Sequence, residues 1–154
     1  MKKYLWFLTA ALLLLVACNQ VDNGTSSFPK VKKPYSVESA AQNGDVVNVH
    51  GKFSNYEKWT TFLQNIEVNQ PDQVRITEYS IEGDPILFEL KYDGEQIEYM
   101  FDNSMDAFGS DLGKPITTCQ EIEKRKLEQG REGYVLKGCE NKKTGDTFWF
   151  QGEQ

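Results

Sequence analysis

The apolar pattern predicts an α+β domain: an antiparallel sheet of about five to six strands covered by one main helix, in the order β-α-βββ-α-ββ, after a signal peptide and tether. Three observations carry this reading. Tyr56, Trp59, Leu63 and Ile66 recur at three to four residues and place one apolar stripe on a helix over Asn55 to Val68. Three β-rich runs follow it, Val74 to Ile81, Ile86 to Tyr92 and Ile97 to Asp102. Asp93-Gly94 separates the last two, and Asp-Gly between alternating runs is a hairpin signal, because glycine supplies the positive φ that a tight turn needs.

Each element has its own local reason. Ser36 to Asn43 reads as a short helix stopped by Gly44, and Val46 to Val49 as a strand leading into Gly51. Ser54 and Glu57 have the spacing of a capping box before the main helix. Along the middle strand Ile86, Phe88, Leu90 and Tyr92 share one face, and Ile97, Tyr99 and Phe101 do so on its partner, so these seven are the expected core. Val74 and Ile76 are out of phase with Tyr79 and Ile81, and a bulge near Thr77 or Glu78 would restore the register. Thr118 to Glu121 is expected to open a short, mostly charged helix ending at Gly130, after which Tyr134 to Cys139 pairs with Thr147 to Gln151 across Asn141 to Gly145. No internal repeat is present.

The chain has 154 residues, of which 39% are hydrophobic, 12% aromatic and 26% charged, enough for one packed core and too few for two. The organisation read from it is residues 1–17 as a leader, 18–34 as a modified cysteine with a tether, and 35–154 as a single domain. Met1 to Lys3 give a positive start and Leu5 to Val16 an apolar run of about a dozen residues, short of the roughly 20 that span a bilayer. The run ends in Leu15-Val16-Ala17-Cys18, which resembles the bacterial lipobox, the site where a cysteine receives diacylglycerol and the leader is cut away. The alternatives are an ordinary secretory signal with a chance cysteine, or an uncleaved anchor; polar Asn19-Gln20 directly after a short run disfavours both.

Asn19 to Pro34 is polar, rich in Gly, Ser and Pro, and without periodicity; sixteen such residues hold a domain about 20 Å from a surface. With Lys2 and Lys3 in the leader, the mature chain has 15 basic and 23 acidic residues, a formal charge of −8. That balance argues against nucleic acid, whose binding draws on Lys and Arg, and leaves the lipid rather than a basic patch to hold the chain to a membrane. The remaining cysteines, Cys119 and Cys139, are more simply a disulfide than a zinc site in an exported chain with one histidine and no CxxC; two free thiols are the alternative.

The stretch Asn43-Gly44-Asp45-Val46-Val47-Asn48-Val49-His50-Gly51, with Glu82-Gly83-Asp84-Pro85 and Phe101-Asp102-Asn103-Ser104 downstream, resembles a lipoprotein family of low-GC Gram-positive bacteria, a domain of unknown function of the DUF4362 type. The resemblance runs from about Tyr35 to about Gly109, and NGDVV at Asn43 to Val47 is its most specific mark. It implies a palmitate-bearing, membrane-attached envelope protein of a single-membrane cell. It carries no catalytic or binding role to any residue.

Candidate chemistry is sparse. His50 is the only histidine, so a general base near neutral pH would have to be this one, yet no GxSxG elbow supplies a nucleophile. Asp102, Asn103, Ser104, Asp106 and Asp111 crowd one loop with oxygens of the type calcium prefers, though off the EF-hand spacing, and turn residues bonding their own backbone explain them more simply. Asp45 and Asp84 each follow a glycine, where a carboxylate commonly caps a turn. GxGxxG and GxxxxGK[ST] are absent. In Phe148-Trp149-Phe150 the alternation puts two rings in the core and leaves Trp149 for recognition. The binding candidates are Asp45, His50, Asp84, Asp102 and Asp106; no catalytic residue, metal set or cofactor is assigned.

The expectation is a membrane-anchored extracellular lipoprotein, lipidated at Cys18, that binds an envelope protein or a small ligand without catalysis. The alternatives are a small-molecule or calcium-type metal-ion binder using the Asp102 to Asp111 loop and, last, a hydrolase built on His50.

Overall fold

The computed structural model describes residues 27–110, 112–126 and 132–152. The leader, Cys18 and Asp111 lie outside them. The fold is α+β. In chain order the elements are α1 (Val37–Gln42), β1 (Val46–Val49), β2 (Lys52–Ser54), α2 (Tyr56–Glu67), β3 (Asp72–Tyr79), β4 (Pro85–Tyr92), β5 (Ile97–Asp102), β6 (Ile116–Cys119), β7 (Glu121–Lys126), β8 (Glu132–Lys137), α3 (Lys142–Gly145) and β9 (Phe150–Gln151). Six strands form one sheet in the order β2-β1-β3-β4-β5-β6, and β7-β8-β9 form a second.

The central meander follows its sequence signals. β4 and β5 pair antiparallel from Leu87↔Asp102 to Tyr92↔Ile97, and the Asp93 carboxylate accepts from the amides of Glu95 and Gln96 to hold the turn, both at 2.8 Å. Phe88, Leu90, Tyr92, Ile97, Tyr99 and Phe101 are buried in one cluster with Trp59 and Phe62 of α2, and Ile86 packs against its edge. α1 is capped at its start by the Ser36 side chain and ends at Asn43, where Gly44 takes φ 85°.

Several expectations are corrected. β1 is not antiparallel to its larger neighbour: it pairs in parallel with β3, Val46↔Ile76 to Asn48↔Glu78, because α2 carries the chain back across the sheet between them. No capping box forms. Ser54 ends β2, and Asn55 starts α2 in the left-handed region (φ 57°), which asparagine tolerates, with its amide donating to the carbonyls of Ala41 and Asp45 rather than to the helix. The bulge near Thr77 or Glu78 is absent, since β3 and β4 pair without interruption from Asp72↔Tyr92 to Tyr79↔Pro85. Both faces of β3 are covered: Val74 and Ile76 join the large cluster, while Tyr79 joins Tyr35, Ala40, Val47 and Leu87 under α1. Ile81 lies beyond the strand and is 90% exposed.

The expected helix after Thr118 is strand as far as it is described, and the rest lies outside the described residues. Its charges pair across the ladder instead of along a helix, Lys124 with Glu132 and Glu123 with Lys137. Charged side chains on such an outer strand also discourage pairing with another chain. β9 holds only Phe150 and Gln151, because α3, capped by Asn141, occupies the connection where a plain hairpin was expected.

The Cys119–Cys139 disulfide forms, joining the end of β6 in the large sheet to the residue beyond the β8–Gly138 turn in the small one. A bond closing a loop of 20 residues restricts the unfolded chain by about 3 kcal/mol. Urea unfolding of Cys119→Ser/Cys139→Ser is expected to show a loss of that order, and an unchanged midpoint would contradict the stapling role.

A pH dependence arises where β1 meets β3. Asn48 Nδ2 donates to Glu78 Oε1 at 2.9 Å, but burial pushes the Glu78 carboxyl up by more than that bond lowers it. A carboxyl raised in the folded state contributes stability that is complete below the ordinary glutamate range, about pH 4, and is lost as pH rises through the raised value. Glu78→Gln keeps an oxygen for Asn48 and removes the titration. The variant is expected to unfold at a higher temperature than the parent at pH 7, with the gap closing on acidification toward pH 4; a gap independent of pH contradicts this.

Candidate functional site

The NGDVV stretch builds the interior of the fold. Asp45 is 1% exposed, and both its oxygens are taken: Oδ1 accepts from Arg75 Nε at 2.8 Å, and Oδ2 from the Tyr35 hydroxyl at 2.6 Å and from Thr77 Oγ1 at 2.8 Å. Arg75, also buried, donates through Nη1 to the Pro29 carbonyl at 2.8 Å and to Glu89 at 3.2 Å, and through Nη2 to the Tyr35 hydroxyl oxygen at 3.1 Å. Asn43 Nδ2 donates to the same hydroxyl oxygen at 3.1 Å. Burial first, and then the bond to Asp45, push the Tyr35 hydroxyl up to about 12. Asp45 is therefore occupied inside the protein, where an aspartate replaces water for a buried guanidinium.

His50 and Asp84 do come together, in a cleft of about 780 Å³ at the end of the sheet where β3 passes to β4. Its walls come from Lys33 to Glu38, the end of β1 at Val49 and His50, the turn from Tyr79 to Pro85, and the loop at Ser104, Met105 and Ala107. His50 and Gly51 both have positive φ (51° and 88°), the backbone of a two-residue hairpin turn, held by Asn48 Oδ1 accepting from the Gly51 amide at 2.8 Å. This turns the imidazole toward the facing loop, with Nε2 3.1 Å from the Ser80 carbonyl oxygen. Asp84 accepts from the Ala107 amide at 2.9 Å and so joins two walls. Val37, Val49, Pro85 and Met105 supply apolar surface, and Glu38, Glu82 and Lys33 charge. Sequence reasoning missed the contributions of Lys33 to Glu38 and of Ile81: the first fell across the tether boundary, and the second was read as the inward end of a strand.

Asp102 and Asp106 stand elsewhere. Asp102 is buried, with Oδ2 2.7 Å from Lys114 Nζ and Oδ1 accepting from the Ser104 amide at 3.0 Å. Burial pushes its carboxyl up, and the Lys114 ammonium with the Ser104 bonds outweighs this and holds it below the usual range. Asp106 Oδ1 accepts from the amides of Phe108 and Gly109 at 3.1 and 2.9 Å, and the Asn103 side chain bonds the Ser110 carbonyl and the Leu112 amide. Among the described residues, no group of three or more His, Cys, Asp or Glu is placed to hold a metal ion. Trp149 is half-buried against Gly133, beside a second hollow of about 570 Å³ that also takes in Arg125, Lys137 and Lys142.

A two-sided α+β sheet with a cleft at one end, closed by the segment that precedes the family motif, defines the class of protein. The particular family is established by comparison: residues 43–133, more than half of the chain, match the model described as Domain of unknown function (DUF4362), and the chain belongs to that family. No curated protein and no solved structure matches the chain. The match begins on Asn43, eight residues after the start of the resemblance read from sequence, and continues past Gly109 through β6 and β7 into β8. Lys33 to Glu38, the wall that completes the cleft, lies before it.

Proposed function

We propose that the chain is a non-enzymatic binding module, tethered through lipidated Cys18 to the outer face of a cytoplasmic membrane, with its ligand seat in the cleft beside His50 and Asp84. The cleft carries the reading. Its volume of about 780 Å³ falls among small-molecule sites, and it combines apolar walls with a few polar groups, the composition that gives both affinity and orientation. The disulfide supports an oxidising compartment outside the cytoplasm, and the lipobox supports the anchor. No helix among the described residues is long and apolar enough to cross a membrane. A hydrolytic role for His50 finds no support in the sequence, which holds no GxSxG elbow to supply a nucleophile. The calcium reading finds little: the described carboxylates of the loop are spent on Lys114 and on backbone amides.

A photoreactive residue placed at Ile81, exposed on the cleft rim, tests the assignment in the anchored chain on cells, with the same residue at exposed Val68 on the far end of α2 as reference. A discrete adduct at position 81, absent at 68 and lost on Val49→Trp, is expected. Equal adducts at both positions, or an adduct at 81 that survives filling of the cleft, contradict the reading.

A further inference from the structure

The segment before Tyr35, assigned from sequence to the tether, lies along the outer face of the sheet, and its course has a direction. Phe28 sits over Arg75 and Lys91, with its ring centre 5.5 Å from the Arg75 guanidinium carbon and 5.8 Å from Lys91 Nζ. The Pro29 carbonyl takes the Arg75 bond, and Val31 packs on the cluster of Val47, Tyr79 and Leu87. Lys33 Nζ then donates to the Ser104 carbonyl at 3.2 Å, and the Tyr35 carbonyl accepts from the Tyr79 hydroxyl at 3.0 Å. Lys91 stands one position from the hairpin end of β4, whereas Tyr79 and Pro85 pair at its other end, where the cleft opens.

We infer that residues 28–35 are a strap that orients the domain on its anchor, so that the β4–β5 hairpin end faces the lipid and the cleft opens away from it. The inference rests on the anchoring at Cys18 proposed above. The chain from Cys18 to Ser27 covers at most about 30 Å, and the eight residues of β4 are about 26 Å long. Phe28 lies over Lys91 and Arg75, whose rows stand one to three positions from the hairpin end and four to six from Pro85, so the arm meets the hairpin end with about 3–10 Å of its reach and the cleft end only by doubling back about 13–20 Å along the strap. Charge does not decide the matter. Asp93 and Glu95 at one end are matched by Glu82 and Asp84 at the other, so an anionic surface repels both alike. The strap decides, because it fixes the end from which the arm leaves.

The test uses the full lipidated chain in vesicles carrying a nitroxide quencher on the lipid headgroup. A fluorophore is placed on Glu95→Cys at the hairpin or on Glu82→Cys at the cleft, both exposed and each removing one negative charge. Quenching at 95 at least twice that at 82 is expected. In Phe28→Ser/Val31→Ser, with its circular dichroism unchanged, the ratio is expected to fall toward one. Co-flotation with vesicles but equal or reversed quenching overturns the orientation while leaving the anchor standing. A ratio that survives release of the strap overturns the strap's role. Absence of co-flotation overturns the anchor and this inference together.

Discussion

Asp45→Ala is expected to lower the free energy of unfolding by about 3–5 kcal/mol, the cost of removing one partner from a buried ion pair. The substitution leaves the Arg75 guanidinium in the interior with Nε unpaired, and deprives the Tyr35 and Thr77 hydroxyls of their common acceptor. Bulk water does not reach these groups, since Asp45, Arg75 and Thr77 are all 3% exposed or less. The diagnostic is the pair of variants. Asp45→Leu/Arg75→Met removes both charges, and replacing a buried pair by apolar groups of similar size is often near neutral, so the double variant is expected to be more stable than Asp45→Ala. Urea unfolding of the set checks this; a loss below about 1 kcal/mol for Asp45→Ala would show that the network adds little.

Trp59→Ala is expected to cost about 3–5 kcal/mol, the range for truncating a large aromatic side chain in a core, and to lower the unfolding temperature by an amount on the order of 10–20 °C. Trp59 is wholly buried where α2 meets both sheets, with ring centres of Tyr134 at 5.0 Å, Phe150 at 5.1 Å, Phe62 at 5.9 Å and Phe148 at 6.2 Å. Its removal opens a cavity that uncouples the C-terminal sheet from α2. The indole Nε1 has no hydrogen-bond partner among the described residues, so Trp59→Phe forfeits contact area but no bond. That variant is expected to lose less than half of what Trp59→Ala loses. Equal losses would mean that the nitrogen, rather than the ring, matters.

How much of this was legible in the sequence depended on the range of the interactions. The β4–β5 hairpin was readable because Asp93-Gly94 acts within four residues and the alternation on either side is clean. α2 was readable for the same reason, although Phe62, fully buried, was missed beside the stripe that included Trp59. β3 misled because alternation was scored as if one face were wet. Arg75 and Thr77 alternate with Val74 and Ile76 on the opposite face, and they are buried through an aspartate 30 and 32 positions away. β7 misled because charges read along a helix are, in this chain, paired across two strands. The site was half legible. His50 and Asp84 were chosen separately on local grounds, but the cleft that unites them needs the wall before the motif, whose tie to Arg75 through Tyr35 spans 40 positions and leaves no local signal.

The proposed lipid on Cys18 is open to mass spectrometry of the protein purified from its native membrane. The expected result is a mature chain beginning at residue 18, with the mass of a diacylglyceryl group on that cysteine, the palmitate-class acyl chains releasable, and Cys119 bonded to Cys139. A chain that still begins at Met1, or one that begins at residue 18 with an unmodified thiol, would contradict it.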